Sequence, residues 1–329
     1  MLPCHPPATR IEGYLGNNEL HCESVNPKLE TRNPKPLLPN RRQFLTRLAA
    51  TCVIAPVFAR AESDPSKLEI VIDSGGWGNA STSEIRAVLQ STAGEIWPYC
   101  PGEHVKPLRI YARGDYPMTD FLHDWRGRVR IGLHCRDTRW NQMAFQFGHE
   151  FCHVLAQHTA IALRGWHPPQ HANLWFEESL CETGSLFVLR RLALSWQQQS
   201  QYPAWQSYAP AMAKYAADRL ALPEHQLPAD TTFSAWFREN EPALRANARL
   251  REKNVIIARQ LLPLFEAEPQ GWDALCYLNL GAHQQGKPLA QHLAEWQGNA
   301  PAGLRTFVGK IAALFPTSAA IHPTTPPAS

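Results

Sequence analysis

The chain has 329 residues, 44% hydrophobic and 19% charged, with a formal net charge of +3. Such a composition excludes a disordered or fibrous chain and allows a sizeable buried core. With so small a charge and no sustained run of Lys and Arg, a phosphate-binding track is excluded, and no nucleic-acid partner is expected.

Residues 1–40 are polar and Pro-rich without periodicity. Arg41-Arg42-Gln43-Phe44-Leu45 then leads into an apolar run over 48–58 and Ala59-Arg60-Ala61. That order is a basic n-region, an h-region and an A-x-A cleavage site. The apolar run is about a dozen residues, short of the roughly 20 a bilayer-spanning helix needs, so removal is expected and no stable membrane span. The Arg41–Leu45 string resembles the twin-arginine signal of bacterial proteins exported in the folded state, although Asn40 and Thr46 depart from its usual flanks. The resemblance implies the twin-arginine export machinery as a partner and a periplasmic or secreted location. An ordinary secretory signal would change the route and not the destination.

Of eight cysteines, Cys4, Cys22 and Cys52 fall in this leader, leaving Cys100, Cys135, Cys152, Cys181 and Cys276. An odd number leaves at least one thiol without an internal partner. The 28 prolines concentrate at the ends and in loops and are read as boundaries rather than as parts of periodic segments.

Leu68, Ile70 and Ile72 alternate with Glu69 and Val71, which predicts a strand ending at Ser74-Gly75-Gly76. Ser81 with Glu84 three residues on is a capping box for a helix carrying Ile85, Val88, Leu89 and Ile96 and stopping at Pro98. Residues 108–112 predict a second strand and residues 128–134 a third. From 138 to 158 the pattern is helical, with Ala144, Phe147, Phe151, Val154 and Leu155 on a core-facing stripe. A break over 165–170 precedes a second long helix, about 174–196, and further helices run to Phe315.

His149-Glu150-Phe151-Cys152-His153 is an HExxH motif inside the first long helix. Positions four apart lie one turn above each other, so both imidazoles can reach one zinc ion from a single rigid element. Glu150 then stands beside the open coordination position, where a general base is needed. Two nitrogen ligands leave a catalytic zinc short of its usual three protein ligands. Leu174-Trp175-Phe176-Glu177-Glu178-Ser179-Leu180-Cys181-Glu182 supplies the best acidic candidates, and Trp175, Phe176, Leu180, Leu186 and Phe187 predict that this helix is packed. Buried acids on a packed helix want partners. Glu177 and Glu178 both remain open as the third ligand, on faces about 100 degrees apart.

This string resembles the second signature of the gluzincin metallopeptidases, in which a bulky apolar stretch precedes an acidic ligand followed by a small residue, as Ser179 follows Glu178. The resemblance implies His149, His153 and Glu178 as ligands of one Zn2+ and Glu150 as catalytic base. It also implies Glu182, one turn on, as the acid that orients a zinc-bound imidazole. The metzincin pattern fails, because Ala156 and Thr159 stand where Gly and a third His are required.

The implied fold is α+β and zincin-like: a small mixed-sheet lobe followed by a mainly helical lobe, with the active site between them. Its segments would be a leader over 1–61, an α/β lobe over 62–157 ending in the HExxH helix, a helical lobe over 158–315 carrying the third ligand, and a disordered tail over 316–329. The strand over 128–134 would form the sheet edge on which an extended peptide or protein substrate lies. An oxyanion donor would come from Tyr202, Tyr208, Tyr215 or His225, with no basis for choosing among them. The competing reading is a non-catalytic exported protein whose zinc site is closed by a fourth group such as His171 or Cys181.

Overall fold

A computed structural model describes residues 68–100, 105–121, 123–164, 172–198, 203–282 and 284–316. The expected leader lies outside the described residues, as does all but the first residue of the expected tail.

The strands are β1 (Ile70–Ile72), β2 (Leu108–Ala112), β3 (Met118–Asp120) and β4 (Val129–Leu133), in the spatial order β1-β2-β4-β3. β1, β2 and β4 run parallel and β3 is antiparallel to β4. α1 (Thr82–Ala93) connects β1 to β2 and starts as expected, with Ser81 Oγ accepting from the Glu84 amide and Glu84 accepting from the Ser81 amide. Such a reciprocal cap contributes about 1 kcal/mol. Arg86 ties α1 to the sheet by donating from Nε to the Ile70 carbonyl at 3.0 Å.

β3 has no counterpart among the strands expected from the sequence, and it corrects the expected edge. The 129–133 strand is interior, paired on both sides, and the edge beside it is β3, with β1 at the other edge. Its three residues, all only half-buried, are too short for an alternation signal, and pairing with β4 is what makes them a strand.

α2 (Trp140–Arg164) and α3 (Leu174–Gln198) follow the sheet. They lie antiparallel: His153 meets Glu177, whereas earlier in α2 the Phe145 carbonyl accepts from Ser185 Oγ at 2.9 Å. Two glycines let them approach. A Cβ on Gly148 would stand 2.8 Å from Val188 Cγ2, and one on Gly184 would collide with Cys152 Sγ. Ala144, Phe147, Phe151, Val154 and Leu155 are buried as the stripe on α2 predicts. On α3, Trp175, Phe176, Leu180, Leu186 and Phe187 are likewise buried.

The rest is helical: α4 (Pro203–Ala221), α5 (Phe233–Ala246), α6 (Arg251–Ala267), a 3-10 segment over Pro269–Leu280, α7 (Leu289–Asn299) and α8 (Arg305–Ala312). Trp175 and Phe176 of α3 anchor this half through edge and tilted contacts with Phe237, Trp296 and Phe315. Contrary to the expected placement of proline, Pro210, Pro242 and Pro263 lie inside α4, α5 and α6. Each removes one backbone donor, a cost of about 3 kcal/mol in a helix interior. All three prolines face solvent, and the buried faces of the same helices offset the cost, as with Leu261, Leu262 and Phe265 on α6.

Among the described residues no helix is long and apolar enough to cross a membrane.

Candidate metal centre

Each side of the site is set by one helix. On α2, the four-residue spacing stacks His149 and His153, whose ring centroids are 5.1 Å apart. On α3, Glu178, Cys181 and Glu182 recur at helical spacing and Glu177 sits beside them. The glycine-permitted approach of the two helices brings these rows together.

Glu178 Oε2 lies 3.2 Å from His149 Nε2 and 3.7 Å from His153 Nε2. The outer nitrogens of both imidazoles therefore converge on one carboxylate oxygen. The opposite face of His153 is fixed by Glu177, whose Oε1 is 2.7 Å from Nδ1. Glu177 is 1% exposed, and its other oxygen accepts from Gln157 Nε2 and Asn279 Nδ2, both at 2.8 Å. Glu182 Oε2 is 4.0 Å from His149 Nδ1, beyond hydrogen-bond range, while its Oε1 accepts from Arg219 Nε at 2.5 Å. The buried Glu182 charge is thus neutralised chiefly by Arg219.

Burial alone would raise the Glu178 carboxyl, but the hydrogen bonds with His149 and His153 outweigh it and hold it well below its ordinary value. Burial likewise opposes charge on His153, yet Cys181, Glu177 and Glu178 around it raise its pKa well above the ordinary value. Glu182, buried beside Arg219, is held low in spite of desolvation. The cluster is a preformed, internally neutralised set of anionic and imidazole donors.

Glu150 is also buried, and its Oε2 accepts from Thr119 Oγ1 at 2.8 Å; the same hydroxyl is 3.1 Å from the Glu150 carbonyl. Thr119 belongs to the edge strand β3, so the sheet edge and the carboxylate are in direct contact.

His149, His153 and Cys181 each offer a donor atom within 4.8 Å of one another and could hold a metal ion. Burial pushes the Cys181 thiol up to about 12. The five cysteines beyond the leader are buried and form no disulfide, so Cys152 and Cys181 are core thiols rather than a pair. A second group, Cys100, Asp273 and Cys276, lies elsewhere.

Of the candidate oxyanion donors, Tyr208 donates to Asn141 Oδ1 at 2.9 Å, and His225 Nδ1 is bonded to the Arg219 carbonyl at 2.6 Å. Tyr215 packs edge-on against Phe145, and Tyr202 and His171 lie outside the described residues. Arg128 and Arg130 are taken up by Asp124 and Asp120. Sequence reasoning missed Thr119, Gln157, Arg219 and Asn279. Gln157 stands one turn beyond His153 and carries a spacing signal; the other three come from distant segments that only the fold brings near.

No family model matches the chain, and neither does any curated protein or solved structure.

Proposed function

We propose that the chain is an exported zinc-dependent peptidase of gluzincin type, with His149, His153 and Glu178 as metal ligands and Glu150 as general base. The observation that carries this reading is the convergence of both imidazole Nε2 atoms on Glu178 Oε2, with Glu150 held against the sheet edge beside them.

The spacing of Glu178 from each imidazole fits the ion. Zinc bonds of about 2.0–2.2 Å in a tetrahedron put neighbouring nitrogen and oxygen donors roughly 3.3–3.5 Å apart. The observed separations of 3.2 and 3.7 Å bracket that range. A zinc ion held there supplies a Lewis acid that polarises a carbonyl and makes a water more acidic.

The protein's own groups do the rest. Glu150 accepts a proton from the attacking water and returns it to the leaving amine, so no covalent enzyme intermediate is required. Thr119 fixes one carboxylate oxygen and leaves the other for that transfer. β3 offers an edge for an extended peptide to pair with, which would set the peptide backbone beside Glu150. Glu177 fixes the tautomer and orientation of His153, and a carboxylate there raises the basicity of the opposite nitrogen. Export through the twin-arginine route into the periplasm or medium completes the reading and rests on the Arg41–Leu45 string alone.

The test is cleavage of a complex peptide mixture by the zinc-loaded protein, with Glu150→Gln in parallel. Cleavage by the wild type alone is expected; equal cleavage by both would overturn the reading. A closed, non-catalytic zinc site is the second reading, favoured by Cys181 falling within donor range of both histidines. It requires absent turnover in the wild type and a large loss of zinc affinity in Cys181→Ala.

A further inference from the structure

We propose that Cys100, Asp273 and Cys276 form a second metal site, for a thiophilic divalent cation of the zinc class, which ties the α/β half of the fold to the helical half. It shares no residue with the histidine cluster and does not depend on the peptidase reading.

The three donor atoms lie within 4.8 Å of one another. Two of the donors come from one element for a geometric reason. The Pro269–Leu280 segment is 3-10 helical, and in that conformation residues three apart eclipse, so Asp273 and Cys276 stand on one edge. Cys100 arrives from the other half of the chain, at the end of the short 3-10 turn Trp97–Tyr99, where its amide donates to the Trp97 carbonyl at 2.8 Å. Neighbouring packing holds the long segment in place: Trp272 is fully buried, and its ring stacks on Phe265 with centroids 4.0 Å apart.

The chemistry of the set is specific. Two sulfurs and one carboxylate suit zinc or a similar borderline-soft ion and do not suit Mg2+ or Ca2+, which want oxygen. Zinc–sulfur bonds of about 2.3 Å and a zinc–oxygen bond of about 2.0 Å need donors roughly 3.5–3.8 Å apart. Closing from the present spacing takes on the order of 1 Å, within the reach of side-chain rotation. Both cysteines are fully buried and Asp273 is only half-buried, so the carboxylate marks the side from which an ion would arrive. Binding converts two thiols to thiolates and releases two protons, with no change in oxidation state.

The test uses the full chain with Cys4, Cys22 and Cys52 replaced by Ser, reduced, and titrated with Co2+. Thiolate-to-cobalt charge-transfer absorption in the near ultraviolet reports sulfur ligation and is silent for nitrogen and oxygen donors. The band is expected in this protein and in Cys181→Ala, and it should be lost when Cys276→Ser is added to Cys181→Ala. In Asp273→Asn on the Cys181→Ala background, the band should persist with at least tenfold weaker Co2+ affinity. Absence of the band in Cys181→Ala, or its retention in the Cys181→Ala/Cys276→Ser double variant, would overturn the proposal. So would an intact-mass and peptide map showing Cys100 and Cys276 joined as a disulfide in the purified protein, together with no Co2+ uptake after reduction.

Discussion

Glu177 Oε1 sits 2.7 Å from His153 Nδ1, on the side of the ring opposite the nitrogen that faces Glu178. Both Glu177 oxygens are committed, one to the imidazole and the other to Gln157 and Asn279. As a supporting group it orients the ring, and losing it should cost about 10–100-fold in metal affinity. Glu177→Gln is therefore expected to keep stoichiometric zinc at reduced affinity, while Glu178→Gln loses it, both read by titration against a competing chelator. The reverse order would make Glu177 the third ligand.

Thr119 joins the sheet edge to Glu150 through a 2.8 Å hydrogen bond. A hydrogen bond to a charged group contributes about 1.5–3 kcal/mol, which sets the range of the effect at roughly 10- to 100-fold. In the proposed peptidase, Thr119→Val should lower kcat by that factor while zinc affinity stays within twofold, and Thr119→Ser should restore most of the rate. A fall in zinc affinity matching the fall in rate would instead place Thr119 in support of the metal ligands.

The helices, the capping box and the two rows of donors were legible because each is local: periodicity places His149 and His153 one above the other, and Trp175 with Phe176 announces a buried α3. What was not legible is long-range. β3 is a strand only because β4 lies beside it, so local pattern alone places the edge one strand too far inward. Glu177 and Glu178 could not be told apart by spacing, since the choice depends on the rotation of α3 against α2. Asn279 reaches Glu177 across 102 positions of sequence, and no pattern short of the fold connects them.

That rotation depends on the two close glycine contacts. An alanine methyl at position 184 would overlap Cys152 Sγ, which is fully buried. Overpacking of this kind costs about 1–3 kcal/mol. Gly184→Ala is expected to lower the midpoint of thermal unfolding and, by pushing α3 off α2, to weaken zinc binding as well. Gly303→Ala, where an added Cβ meets nothing within 4 Å, is the matched control and should change neither.

The loop between β3 and β4 should carry an acid-sensitive part of the stability. Asp124 accepts from Arg128 Nε at 2.8 Å and from the Arg126 and Arg128 amides at 2.9 and 3.1 Å. These bonds, led by the one from the Arg128 side chain, lower its pKa from 3.8 to about 2. A carboxyl depressed in the folded state contributes stability above its unfolded pKa and loses it as pH falls through the folded value. The window here is therefore from about pH 4 down to about pH 2. Asp124→Asn should unfold at lower urea than the wild type at neutral pH, and the gap should close across that window. Metal-free protein is the right sample, because proton competition at the imidazoles would add an acid dependence of its own. A gap that persists unchanged below about pH 2 would mean that the mutation acts through packing rather than through the carboxylate charge. Because this loop leads out of the strand that carries Thr119, the same variant should also reduce turnover of the proposed peptidase at neutral pH, by less than Thr119→Val does.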